Sequence, residues 1–168
     1  MTAAKYQQQL LEQARRAYQE TPLSDATVKA YLATPRHLFV TRYREHGNRE
    51  WYEVRDENLH EHLATLYADR PLTLFGDDDS SVPSTISQPS FVLRMLDLLQ
   101  LESGHRVFEL GAGSGWNAAL IAQLVGESGS VHSLEIIPEI GRRAVSNGEP
   151  LLRIVGRRGR LPGSCQRR

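Results

Sequence analysis

The chain has 168 residues, with 20 Lys and Arg against 20 Asp and Glu and 40% hydrophobic residues. That is the balance of one ordinary globular domain; it excludes a disordered, collagen-like or disulfide-scaffold chain, and a surface given over wholly to nucleic acid. The neutral total hides an asymmetry: residues 1–147 carry 14 basic and 19 acidic side chains, whereas residues 148–168 carry six arginines and one acid, Glu149.

Residues 3–20 read as an amphipathic helix, with Tyr6, Leu10, Ala14, Ala17 and Tyr18 on one face. The same stretch is polar and has no apolar core of signal-peptide type. Thr21-Pro22 ends the helix, Ser24 caps a second one through Leu32, and Pro35 closes that one. Residues 36–75 read as irregular, with a helix near 57–66. Gly76 to Pro83 is a polar, turn-rich loop. Pro89 suits the first turn of a helix running to Leu99, with Phe91, Met95 and Leu99 in one row. His105–Leu110 reads as a strand, Gly111–Gly115 as a glycine loop, 116–125 as a helix and 130–136 as a second strand; Pro138 starts a helix toward Asn147. Helix, strand, glycine loop, helix, strand, helix is the opening of a doubly wound α/β sheet, whose parallel strands need crossover helices. The expected fold is a Rossmann-like three-layer α/β/α arrangement with an incomplete sheet. Residues 1–83 form a helical and irregular N-terminal segment, 84–147 the first part of the α/β domain, and 148–168 an aberrant basic tail.

The stretch Val107-Phe-Glu109-Leu-Gly111-Ala-Gly113-Ser-Gly115-Trp116 carries the chemistry. A dinucleotide fingerprint would place its third glycine one residue later. Here an acid, Glu109, ends the strand before the glycines, and a second, Glu135, ends the next strand. This is the pattern of an S-adenosyl-L-methionine pocket. The glycines let the backbone turn sharply and approach a ligand. Glu135 is placed to accept from ribose hydroxyls, and Glu109 lies near the amino-acid end, where an ammonium favours a carboxylate. The alternative is a tight packing turn with two incidental acids.

Several motifs in order resemble the protein-L-isoaspartate O-methyltransferase family over about residues 23–147: Pro35-Arg-His-Leu-Phe-Val40, Tyr67-Ala-Asp69-Arg-Pro71-Leu, Thr85-Ile-Ser87-Gln-Pro89, the glycine motif, and Ser133-Leu-Glu135-Ile-Ile-Pro138-Glu139. The resemblance implies an S-adenosylmethionine-dependent methyltransferase fold. It implies methyl transfer from S-adenosylmethionine to the carboxylate of an isoaspartyl residue in a damaged protein, after which the ester collapses to a succinimide. A carboxylate of ordinary pKa, about 3.9, is already ionised at neutral pH and needs no general base. In-line alignment then carries the rate, worth ~7–11 kcal/mol for positioning of this kind. The resemblance makes Ser87 the catalytic candidate, a hydroxyl that orients the substrate carboxylate, with Thr85 and Ile86 forming the same substrate loop. A plain cap of the 89–99 helix is the other role open to Ser87.

The remaining candidates read as structural. His60-Glu-His62 has no third ligand and reads as a solvated helix face, Asp77–Asp79 as a solvated loop, and no metal is expected. His37 is expected to hydrogen-bond locally. Trp116 is left between the cofactor wall and the core. The single cysteine, Cys165, allows no internal disulfide, so a reducing, cytoplasmic setting is expected. The longest uncharged stretch, Leu110–Gly126, is broken by glycines, so no membrane span is expected.

After Asn147 the family pattern should continue with a third strand whose terminal acid meets the adenine. Leu151–Gly156 could be that strand, but Arg157 and Arg158 follow where the acid is wanted. Residues from about 148 are therefore expected to be frame-shifted coding or a truncation product; a genuine basic tail for an acidic partner is the alternative. Three functions follow: an isoaspartyl methyltransferase in an incomplete copy, a methyltransferase for another peptide carboxylate, or a non-catalytic S-adenosylmethionine-binding remnant. The expected partners are isoaspartyl-containing proteins or peptides, with neither nucleic acid nor membrane, and no residue pattern specifies an oligomeric state.

Overall fold

The structure, a computed structural model, describes residues 1–76 and 84–148. The acidic loop at 77–79 and the expectations for the basic tail lie outside the described residues. In chain order the elements are α1 (Ala3–Ala17), α2 (Asp25–Ala33), a 3-10 turn (Arg36–Phe39), β1 (Arg42–Tyr43), β2 (Tyr52–Glu53), α3 (Leu59–Leu66), β3 (Leu72–Phe75), β4 (Ser84–Ile86), α4 (Pro89–Leu98), β5 (Arg106–Leu110), α5 (Trp116–Val125), β6 (Ser130–Leu134) and α6 (Pro138–Gly148).

The helix starts follow from capping. Thr2 and Ser24 accept the N–H groups of Lys5 and Thr27 at the heads of α1 and α2. α1 stops at Ala17, earlier than its pattern predicts, because Tyr18 leaves helical geometry at φ −129°. β6 ends at Leu134 rather than Ile136, because the Glu135 carboxylate takes the Ile137 N–H at 3.0 Å and turns the chain out of the ladder.

β5 and β6 are parallel and in register, Glu109 opposite Ser133 and Leu110 opposite Leu134. The reading of 36–75 as irregular is corrected. β1 pairs antiparallel with β2, β3 pairs antiparallel with β4, and Arg44 exchanges both backbone hydrogen bonds with Thr73, at 2.8 and 2.9 Å, joining the two hairpins. The His60-Glu-His62 reading is corrected in part. His60 and Glu61 are exposed, but His62 lies on the Leu63 and Leu66 side of α3, buried, with Nδ1 3.0 Å from the Tyr43 hydroxyl.

α1 docks on α4, and α2 docks on α5, which covers one face of the β5–β6 pair. One buried cluster runs through these elements, from Leu10, Leu11 and Ala14 to Leu93, Leu96, Leu120 and Val131. Gln7, buried in α1, donates to the Tyr31 carbonyl at 2.7 Å, and the Tyr31 hydroxyl returns a bond to the Gln7 carbonyl at 3.1 Å, which satisfies polar groups where α1 meets α2. Trp116 belongs to the core: its ring stands edge-on to Tyr31, and its indole N–H donates to the Thr34 carbonyl at 3.1 Å. On the sheet face turned from α5, Phe108 and Leu110 of β5 are 66% and 75% exposed. No helix among the described residues is long and apolar enough to cross a membrane.

Trp116→Ala removes the ring that joins α5 to α2 and orphans the Thr34 carbonyl. Urea denaturation should show a loss of about 3–5 kcal/mol.

Candidate functional site at the glycine turn

Beyond β5 the chain turns through Gly111, Gly113 and Gly115 at φ +86°, +53° and +83°, a region that glycine enters without strain. The turn is tethered to the neighbouring strand: the N–H groups of Gly111 and Ala112 both donate to the Leu134 carbonyl, at 2.8 and 3.2 Å. The three glycines face different surroundings. A Cβ on Gly115 would stand 3.1 Å from the Ala144 carbonyl oxygen, so this glycine lets α6 lie against α5. A Cβ on Gly113 would stand 3.8 Å from the Thr85 carbonyl oxygen. A Cβ on Gly111 would meet nothing within 4 Å among the described residues.

Glu109 and Glu135 stand at the same end of the parallel pair, and each is already engaged within the chain. Glu109 accepts from Asn117 Nδ2 at 2.7 Å and from the Ser133 hydroxyl. Burial raises its pKa above the ordinary carboxylate value, the two hydrogen bonds oppose the rise, and the charge of Glu135 adds to it. Glu135 accepts the Gly113 N–H at 3.1 Å through one oxygen and the Ile137 N–H through the other. On another flank of the turn lies a shallow cleft walled by Phe39, Phe75, Ser84, Gly113, Ser114 and Ile140 among others. Neither carboxylate lines it.

The substrate-loop residues are not all in a loop. Thr85 and Ile86 are strand residues of β4, opposite Thr73 and Leu72, and the Ile86 side chain is in the core. Ser87 is exposed immediately before α4. Its alternative role, capping that helix, is filled from elsewhere. The N-cap is Gln88, without a side-chain cap bond of its own, and Asp69 Oδ1 takes the Ser90 N–H at 2.9 Å while Oδ2 accepts from Gln88 Nε2 at 3.2 Å.

Two residues here passed through the sequence reading only as letters of motifs. Asp69 is one. The other is Arg36, buried, whose Nη1 donates to the carbonyls of Leu66 and Ala68 at 2.8 and 3.3 Å and whose Nη2 donates to those of Arg70, Ile86 and Ser87 at 3.1, 3.4 and 3.1 Å. Burial pulls the Arg36 pKa down to about 10, a value that still leaves it charged at neutral pH. His37 bonds locally as expected, with Nδ1 2.7 Å from the Tyr67 hydroxyl, and burial lowers its pKa.

The sequence profile of the Protein-L-isoaspartate(D-aspartate) O-methyltransferase family matches residues 5–151. The chain belongs to the protein-L-isoaspartate O-methyltransferase family. A relative of that name from Archaeoglobus fulgidus is 37% identical over 131 residues, which are 78% of this chain and 49% of the relative. One from Methanosarcina mazei is 31% identical over 125 residues, 74% of this chain and 42% of the relative. A solved protein-L-isoaspartate O-methyltransferase superposes with a TM-score of 0.67 at 29% identity, over 89% of this chain and 41% of that one. A Plasmodium falciparum structure described as a putative member of the family, in complex with S-adenosyl-L-homocysteine, superposes with a TM-score of 0.54 at 18% identity, over 85% of this chain and 55% of that one, and shows the shared fold. The fold is thus the Rossmann-like methyltransferase fold of that family, and the chain spans about half the length of the curated relatives it matches.

The Glu109 environment sets a stability test. A folded pKa above the unfolded one makes this group's contribution full below the ordinary value of 4.5, and that contribution is lost as pH rises through the raised folded value. Glu109→Gln should therefore raise the melting midpoint at pH 7, and the gain should vanish on acidification below pH 4.5.

Proposed function

We propose that this chain carries the cofactor-binding turn and the substrate-orienting hydroxyl of a protein-L-isoaspartate O-methyltransferase. The observation that carries the reading is the junction at Gly113. Its N–H is held by the Glu135 carboxylate, and its open side faces the Thr85 carbonyl, so the glycine turn and the Thr85-Ile86-Ser87 segment abut at one residue. A ligand lying along the turn would reach both.

The residues present suit S-adenosylmethionine. Gly111 leaves space, open among the described residues, where any other residue would project a Cβ. A carboxylate offers about four acceptor sites, so Glu135, with one backbone N–H on each oxygen, keeps capacity for two ribose hydroxyls. Glu109, beneath the turn, supplies negative charge toward an ammonium. The cofactor, when bound, supplies an electrophilic methyl group on a sulfonium and leaves as S-adenosylhomocysteine. Ser87 would donate its hydroxyl hydrogen to the isoaspartyl carboxylate and orient it; being un-ionised, it would not compete as a nucleophile. No residue need take a proton, because the substrate oxygen is already anionic. The substrates are isoaspartyl-containing proteins or peptides, and the setting is cytoplasmic.

Calorimetry with S-adenosylhomocysteine tests the cofactor half. The unsubstituted chain should bind, and Gly111→Ala should weaken binding by at least about tenfold while costing roughly 1 kcal/mol of stability. Binding should strengthen as pH rises through the raised Glu109 value and level off above it, because the ammonium favours the ionised carboxylate. Methylation of an isoaspartyl peptide, with its normal aspartyl twin as control, tests the substrate half. Ser87→Ala should lower kcat/KM by roughly 10–100-fold, the worth of one hydrogen bond to a charged group, and leave S-adenosylhomocysteine affinity unchanged. Tight binding with no methylation of the isoaspartyl peptide would favour the non-catalytic binder instead.

A further inference from the structure

Arg36 is buried, yet its bonding is spent on backbone rather than on a carboxylate. Its two terminal nitrogens collect five carbonyls from two separate stretches, Leu66 to Arg70 and Ile86 to Ser87. Its Nε–H is buried and has no acceptor among the described residues. Burying a guanidinium is costly, and an orphaned donor adds to the cost. An apolar side chain of similar volume would escape that cost but would take a donor from each of the five carbonyls. What the guanidinium provides and an apolar side chain cannot is a rigid, planar fork of donors that registers two segments against each other.

The segment so registered carries Ser87. On its upstream side the carbonyls of Ile86 and Ser87 are tied to Arg36. On its downstream side Asp69, from the same stretch that Arg36 holds, takes the Ser90 N–H and the Gln88 amide. Gln88 is exposed but its amide is engaged with Asp69 and Ser90 Oγ, while Ser87, between the two tied flanks, is exposed. The guanidinium carbon also lies 5.6 Å from the centroid of the Trp116 ring, and Trp116 is the first residue of α5 after the glycine turn. One buried cation thereby touches both the substrate segment and the helix that follows the cofactor turn. We infer that Arg36, with Asp69 on the opposite flank, is the positioning group for Ser87. This inference rests on the reading of Ser87 proposed above.

Arg36→Lys in the full chain is the test, because a lysine keeps the charge and offers fewer donors on a single point. Amide hydrogen exchange and the amide chemical shifts of Ser87, Gln88 and Ser90 are the readout. Exchange across 84–90 should speed up by roughly tenfold or more, with displaced shifts at Ser87, while exchange in α5 and β6 and the affinity for S-adenosylhomocysteine stay within about twofold. A uniform acceleration throughout the chain would assign Arg36 to general stability and overturn the inference; unchanged exchange at 84–90 would overturn it as well. Should Arg36→Lys fail to fold, Asp69→Asn makes the same test from the other flank, with the same local pattern expected and the same outcomes contradicting it. Failure of the unsubstituted chain to bind S-adenosylhomocysteine would count against the methyltransferase reading alone, and the exchange pattern would still decide whether Arg36 sets the Ser87 backbone.

Discussion

A buried guanidinium among backbone carbonyls is an expensive arrangement, and much of the described structure is arranged around it. The Arg36 side chain reaches the ends of α3 and β4 and the stretch between α3 and β3. Those carbonyls lie at element ends or in connections, and the fork gives each of them a donor, in addition to the Arg70 N–H that the Ala68 carbonyl already takes at 2.8 Å. The 3-10 turn that presents Arg36 is thus tied to α3, to the stretch before β3 and to β4 at once. Trp116 beneath the guanidinium extends the tie to α5.

The glycine turn shows a second kind of economy. All three glycines are needed for their positive φ, and only Gly115 is needed for space as well, since a Cβ there would press on the Ala144 backbone of α6. The two acids beside the turn also work on the protein itself: Glu135 holds the Gly113 N–H, and Glu109 holds Asn117 and Ser133. A carboxylate that shapes its own loop is preorganised. Its remaining acceptor sites are aimed by bonds already made, so a ligand need not order it. The raised pKa of Glu109 is the cost of holding that charge in a partly buried place.

The sequence was legible where structure is made by neighbours along the chain. Trp116–Val125 is the predicted helix, and the Ser24 cap is in place. β5 and β6 fall near their expected limits, since apolar residues bounded by turns suffice to mark such strands. It was not legible where structure is made across the chain. β1 and β2 are two residues each and carry no period to read; they exist because they pair with each other and because Arg44 meets Thr73. The capping of α4 went unread for the same reason: Asp69, far upstream, does what adjacent Ser87 was a candidate to do. Trp116 could have been cofactor wall or core, and only the contact with Tyr31 and Thr34 decides for the core. Within the candidate site the glycines and acids stood out by spacing. Arg36 did not, since an arginine in a motif reads as an exposed charge until its five carbonyls are seen.

The central claim is that the glycine turn and the Ser87 segment form one site. The most direct measurement is an amide chemical-shift map of the full chain with and without S-adenosylhomocysteine. Perturbations are expected at Gly111, Ala112 and Gly113, continuing across the junction into Thr85, Ile86 and Ser87. Perturbations confined to α1 and α2, or none at saturating ligand, would contradict it.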